Sequence, residues 1–319
     1  MIIPAHNGEA YLNSAIQSAL AQDGVDLEVI LVDDASTDRT AEIARAHPGV
    51  RYLPMERRGG NAYVTTNVGI AAARGRYIAV LHQDDRWRPH KLARQVALMD
   101  ADPRMAMSYT AYQLVGPADN VLSTVRSPLG RGDHAVDGAV ELRHLCIQNY
   151  ISVCTAMLRR DLLDSADTFP EDLWFSSEWA LWTRLAMRAR IGYIDDGLSC
   201  IRIHGGSQTQ SRTHGTTEFR QQLLAVIDEL FARPDLPAEV RARRHLSLAN
   251  VELSTVLQCL YWSDRRGALA ALGRLLRLVR PWEVPTLIRS SAVVPRARAR
   301  ARVARRGRRD HAPGVTSKV

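Results

Sequence analysis

Two aliphatic stretches that each lead to a pair of aspartates constrain this chain most. Leu27 to Val32 ends in Asp33-Asp34, and Tyr77 to Leu81 runs through His82-Gln83 into Asp84-Asp85. Short, continuous apolar runs of this kind read as strands buried on both faces. Helical stripes fill the intervals. Met1 to Ile3 reads as a first strand that breaks at Pro4, and Leu12, Ile16 and Leu20 follow at four-residue spacing. Ser36 to Asp38 supply capping side chains before a stripe at Ile43 and Ala44; Val50 to Leu53 reads as a third strand, and Asn67 to Ala73 as a helix closed by Gly75. Such alternation predicts an α/β fold with a mostly parallel, Rossmann-like sheet covered by helices. Ligands of these open sheets gather beyond the carboxyl ends of the strands, so the two acidic pairs are expected to share one crevice.

The rest of the chain divides by pattern. Residues 1–104 form the alternating half and 105–212 a mixed second half containing an aromatic helix from Trp174 to Ala189. Residues 213–288 are helical by period, and 289–319 form an Arg-rich tail whose composition predicts disorder. Charge follows the same division. The net charge is +8, but ten of the 42 basic residues lie from Arg289 onward against Asp310 alone, leaving 32 basic and 33 acidic residues before it. A near-neutral body argues against a surface built to grip a polyanion, so nucleic acid is not expected as a partner. The four cysteines, Cys146, Cys154, Cys200 and Cys259, are too scattered for a disulfide framework and read as reduced thiols. With no apolar run of about 18 residues and no export segment, the expected location is the cytoplasm.

The acidic pairs carry chemistry. Ser36, Thr37 and Asp38 are read as helix caps, whereas Asp33 and Asp34 precede the cap at the mouth of the sheet, where a carboxylate accepts bonds from a base N–H or ribose hydroxyls. Asp84 and Asp85, directly after a buried strand, suit a hard divalent cation such as Mg²⁺, which shares its shell between one or two carboxylates, water and phosphate oxygens.

Three ordered motifs, Ile2-Ile3-Pro4-Ala5-His6-Asn7, Val32 to Asp38 and Gly75 to Asp85, together resemble the nucleotide-sugar half of family 2 glycosyltransferases. Ser177 to Leu185 is similar to that family's acidic, tryptophan-bearing acceptor helix, and Cys200 to Ser207 to the loop that closes it, so the resemblance spans about residues 1–211. It implies a GT-A fold with a C-terminal helical extension, a nucleotide-diphospho-sugar donor, a glycan or lipid-linked acceptor, and Mg²⁺ or Mn²⁺. By the same resemblance Pro4, His6 and Asp34 border the nucleobase, and Asp33 lies near the ribose. Asp84, with Asp85, holds the metal, Glu178 is the base of an inverting transfer, and His204 lies near the phosphates.

Two rival activities remain open at this level: a nucleotidyltransferase that attacks phosphorus, and a nucleotide-sugar-binding protein without catalysis. Trp179 and Trp182, three residues apart on one helix face, are core residues by default, with contact to the acceptor as the alternative. The stripe Leu269, Leu272, Leu275, Leu276 and Val279 beside Arg274 and Arg277 reads either as a helix packed on the catalytic domain or, with the tail, as a peripheral membrane contact over 266–309.

Overall fold

Ile2, Ile30 and Val32 point to one side of the first strands and Ile3 and Leu31 to the other, and all five are fully buried. Both faces of the pleat are therefore covered, which is why these strands are aliphatic at every position. The computed structural model describes residues 1–163, 167–206 and 216–310. Strands β1 (Ile2–Ala5), β2 (Val29–Asp33) and β3 (Val50–Pro54) pair in parallel with β2 in the middle. β1 does not end before Pro4; Pro4 is in register with Val32. The carbonyls of Met1 and Ala5 accept from β2 and that of Ile2 from Leu81, so alternate residues face alternate neighbours. The N–H that Pro4 lacks would point away from β2, past the bridge of Ile2 to Val80, so no ladder bond is lost.

Helices α1 (Leu12–Leu20), α2 (Thr40–Arg45) and α3 (Ala62–Ala72) connect these strands. α3 begins before the expected Asn67 because Asn61 caps it, its side chain accepting the N–H groups of Tyr63 and Val64. Gly69 lets α3 sit directly on β1, since a Cβ there would lie 2.5 Å from Ile2 Cγ2. β4 (Tyr77–Ala79) adjoins β1 through that same bridge and opens the second half of the sheet.

Beyond β4 the pairing is mixed. β5 (Arg86–Trp87), β6 (Met105–Val115), β9 (Met157–Arg159) and β10 (Arg190–Arg202) join β4 in the order β4-β9-β6-β10-β5, with β7 (Val121–Val125) on β6 and β8 (His134–Asp137) on β10. Only β6 and β10 are parallel in this half. Helices α4 (Lys91–Asp100) and α5 (Gly138–Leu145) pack on these strands, and α6 (Ser177–Ala186) packs on α5.

The C-terminal segment forms α7 (Thr216–Ala232), α8 (Ala238–Arg241), α9 (Arg244–Tyr261), α10 (Arg265–Leu278), α11 (Val284–Arg289) and α12 (Val293–Asp310). It shares the core of the second half of the sheet: Phe219, Ile227, Leu246 and Ala249 belong to the same apolar cluster as Trp179 and Trp182. The expectation of a disordered tail is corrected for 293–310. Ala292, just before α12, and Ala299 within it are buried, while Arg296 donates to Asn149 O and Arg302 to Leu122 O. Residues 311–319, with Lys318, lie outside the described residues.

Candidate active site

The strand ends, α6 and the C-terminal helices enclose one cavity of about 1120 Å³. Pro4, His6 and Asp34 line it from the ends of β1 and β2, and His82, Asp84 and Asp85 from the turn after β4. The predicted convergence holds in part: Asp34 of the first pair meets Asp84 and Asp85 of the second at one cavity. His6 is fixed by its surroundings: its N–H donates to Gln83 Oε1 at 2.8 Å, Gln83 Nε2 returns a bond to His6 O at 3.0 Å, and His6 Nδ1 lies 2.8 Å from Asp34 O. The Gly59 amide donates to Asp34 Oδ1.

Asp33 departs from its expected place near a ribose. Its carboxylate accepts from Tyr52 Oη at 2.6 Å and from the Ser36 amide at 3.0 Å, and it is not among the cavity-lining residues. It organises the β2–α2 turn instead. Only Asp34 of that pair reaches the cavity.

Asp84 and Asp85 also differ from each other. Asp84 Oδ2 meets His204 Nε2 at 2.9 Å, and His204 in turn packs on Tyr11 with ring centroids 5.0 Å apart. Burial pushes the Asp84 carboxyl up, but the His204 contact and the nearby His82 outweigh it and hold the carboxyl below its ordinary range. Asp85 accepts the Arg202 amide at 2.8 Å, and burial followed by the charge of Asp84 holds it well above the ordinary range. Arg202 completes the floor, donating to Asp84 O and pairing with Asp119 at 2.7 Å. Ser207, beyond this loop, lies outside the described residues.

These residues fit a divalent cation. His82 Nε2 is buried without a hydrogen-bond partner, and His82, Asp85 and Cys154 bring ligand atoms within 4.8 Å of one another. The Asp85 carboxylate and the His82 nitrogen suit Mn²⁺ or Mg²⁺, with the orphaned nitrogen favouring Mn²⁺; Asp84 adjoins this cluster in sequence, and burial holds the Cys154 thiol well above its ordinary pKa. In the sequence His82 is only a step between a strand and two acids; its unpaired nitrogen is visible only in the fold.

Glu178 stands in the first turn of α6, on the cavity wall. Its Oε2 accepts from Tyr63 Oη at 2.7 Å and its Oε1 from Asn149 Nδ2 at 2.8 Å. Burial raises its pKa against those two bonds and the positive charges of His82 and Arg296. Tyr63 and Asn149 were missed by sequence reading because neither belongs to a recognisable motif.

Trp179 and Trp182 supply the cushion under that helix turn. They are 1% and 0% exposed, and their indole N–H groups are spent on Leu145 O and Ile151 O. Contact with an acceptor sugar is therefore withdrawn for Trp182, which does not line the cavity; Trp179, although almost wholly buried, does line it.

Fold and cavity define a GT-A glycosyltransferase. A family model described as glycosyl transferase family 2 matches residues 1–164, and the chain belongs to that family. It is 27% identical over 220 residues to an uncharacterized glycosyltransferase of Rickettsia prowazekii, covering 69% of this chain and 68% of that one. It is 44% identical over 102 residues to the succinoglycan biosynthesis protein ExoO of Rhizobium meliloti, covering 31% of this chain and 29% of the relative. Among solved structures it is similar to S. aureus TarS 1-349 in complex with UDP-GlcNAc, with a TM-score of 0.65 at 19% identity over 96% of this chain and 91% of the other. The mannosyltransferase PcManGT of Pyrobaculum calidifontis, in complex with GDP-Man and Mn²⁺, gives 0.56 at 21% identity over 91% and 84%.

Proposed function

We propose that this glycosyltransferase works with inversion, moving a sugar from a nucleotide-diphosphate donor to an acceptor hydroxyl in the synthesis of a cell-surface glycan or glycolipid. The observation that carries this reading is Glu178: a carboxylate of raised proton affinity, clasped by Tyr63 and Asn149, in the cavity that Asp34 and Asp84 also line. The relative named for succinoglycan biosynthesis and the neighbours bound to UDP-GlcNAc and GDP-Man support the substrate classes.

In this mechanism Asp34 and His6 border the base, with Pro4 beneath it. Asp84, with His82 and Asp85 beside it, would hold a divalent cation, which when bound offsets the charge of the leaving diphosphate. His204 fixes the Asp84 carboxylate, while Arg202 holds the Asp84 carbonyl and, through its amide, the Asp85 carboxylate. The acceptor oxygen attacks the anomeric carbon on the side opposite the diphosphate as Glu178 takes its proton. The anomeric C–O bond breaks, and its electron pair leaves with the nucleoside diphosphate. Tyr63 and Asn149 hold both Glu178 oxygens, limiting the rotamers from which the proton is taken. The decisive test is product identity with purified protein, UDP- or GDP-sugars, Mn²⁺ and a panel of glycan acceptors. Nucleoside diphosphate with a glycoside of inverted configuration is expected; pyrophosphate would indicate nucleotidyl transfer, and donor binding without turnover a non-catalytic protein.

We further propose that the chain works at an anionic membrane surface. In α10, Ala268 and Ala271 face inward while Leu269 and Leu276 are each 70% exposed, and Trp282 is 71% exposed nearby. Leu275, Leu278 and Val279 take the packing role that the sequence allowed for the whole stripe. Exposed Arg265, Arg266, Arg277 and Arg280 flank the apolar side chains, the combination that binds an interface through area and charge together. No described helix is long and apolar enough to cross a membrane. Liposome flotation should recover the chain with anionic vesicles and lose it on Leu269→Glu/Leu276→Glu; equal recovery refutes attachment through α10.

A further inference from the structure

We infer that the acceptor carries an anionic group, a phosphate or a carboxylate, close to the hydroxyl that is glycosylated, and that Arg296 and Arg300 receive it. This rests on the transfer reading above, whose acceptor it narrows to a chemical class.

The cavity extends well past the strand ends into the C-terminal helices, where Asn250, Ser254 and Gln258 of α9 face Arg296 and Arg300 of α12. The two arginines are one helical turn apart on a shared face, and both are half-buried. Arg202, deeper in the wall of the same cavity, is matched by an acid, Asp119, at 2.7 Å. Arg296 and Arg300 make no ion pair among the described residues. Arg296 donates to Asn149 O at 3.1 Å and to Tyr112 Oη at 3.1 Å, and Arg300 reaches Gln258 Oε1 at 3.4 Å. Burial and then the charge of Arg296 hold the Arg300 guanidinium below its ordinary value. Two like charges at this spacing disfavour the empty helix, and a multidentate anion between them is the group that guanidinium forks accommodate best.

Position specifies the role. The residue whose carbonyl accepts from Arg296, Asn149, is the one whose amide holds Glu178. An anion on Arg296 therefore lies about one residue from the proton acceptor, as a phosphodiester lies beside a polyol hydroxyl or a uronate carboxylate beside a ring hydroxyl. Neutral glycans accept hydrogen bonds from these side chains but leave both charges uncompensated. The donor diphosphate is the other anion in reach of the cavity, and the experiment separates the two.

Saturation-transfer NMR on the full chain would compare glycerol 3-phosphate and glucuronate with neutral glycerol and glucose, with UDP and GDP in the presence of Mn²⁺ as donor-site probes. The anionic probes should bind and the neutral ones should not. Arg296→Gln and Arg300→Gln should each weaken the anions about tenfold or more, while Arg296→Lys retains part of the binding and the nucleotides are unaffected. Weakened UDP and GDP with unchanged glycerol 3-phosphate would assign the arginines to the donor and overturn the inference. Equal binding of charged and neutral probes would overturn it as well. A chain that binds the anions through these arginines yet releases no nucleoside diphosphate leaves the inference standing and defeats only the transfer reading.

Discussion

Glu178→Gln separates binding from chemistry because the amide nearly preserves the shape of the carboxylate while removing its capacity to take a proton. In the cavity the carboxylate accepts at 2.7 Å from Tyr63 Oη and at 2.8 Å from Asn149 Nδ2. The amide can still accept from Asn149 through its oxygen and donate to the phenol oxygen through its nitrogen, so the wall should hold its shape. Loss of a general base costs roughly 10²- to 10⁴-fold in turnover, about 3 to 5 kcal/mol of barrier. Donor affinity, measured calorimetrically with Mn²⁺, should be unchanged. The pH profile adds a second readout. Burial raises the Glu178 pKa above its ordinary 4.5, and only the deprotonated form accepts a proton, so wild-type turnover should fall as pH drops through that raised value. This limb should be absent from the residual activity of the variant. Stability should move the other way. A carboxyl whose folded pKa is raised binds protons more tightly folded than unfolded, so it destabilises increasingly as pH rises from the unfolded value through the folded one. Glu178→Gln should therefore melt at a higher temperature than the wild type at neutral pH. Transfer within tenfold of wild type, or an acid limb that survives in the variant, would refute the assignment of the base.

Asp84→Asn should weaken donor binding when Mn²⁺ is present and leave it little changed in chelator, as titration calorimetry would show; equal affinity in both conditions would remove Asp84 from the metal site. Lys91 is fully buried over the Trp87 ring at 4.1 Å and bonded to Gln95 at 2.6 Å, and burial lowers its pKa from 10.5 to about 7. The unfolded chain thus binds a proton that the folded one resists, so stability should rise with pH between about 7 and 10.5. Lys91→Met should flatten that rise in denaturant melts and stabilise the neutral protein by on the order of 4 kcal/mol at most. Gly69→Ala should destabilise by about 1 to 3 kcal/mol, because its Cβ would meet Ile2 Cγ2 at 2.5 Å; an unchanged melting temperature would mean that α3 can move off β1.

The legible part of the fold is the part written in short-range pattern. Ile30, Leu31 and Val32 specify a strand buried on both faces wherever they occur, and Asp34 follows within one turn of chain, so its place at the mouth of the sheet needs no distant partner. Misreadings arose where a distant neighbour decided. Pro4 looks like a strand break until the orientation of its missing N–H relative to β2 is known. The Arg-Ala alternation in 296–302 has the composition of a disordered segment, yet the helix packs on β6 and β7, Ala299 is buried, and Arg296 and Arg302 donate to the carbonyls of Asn149 and Leu122. Asp33 and Asp34 are chemically equivalent as neighbours, but one turns toward Tyr52 and the other toward the cavity.

From the sequence alone follow the strand–helix alternation, the acids at strand ends and the family resemblance, which marks Glu178 as the candidate base, because each depends on residues close together in the chain. Tertiary structure decided what surrounds them. The clasp of Tyr63 on Glu178 spans 115 residues and the reach of Arg296 to Asn149 spans 147, and no periodicity encodes such distances. Whether a carboxylate becomes a base, an anchor or a metal ligand depends on which donors and how little water surround it, and those are properties of the packed chain.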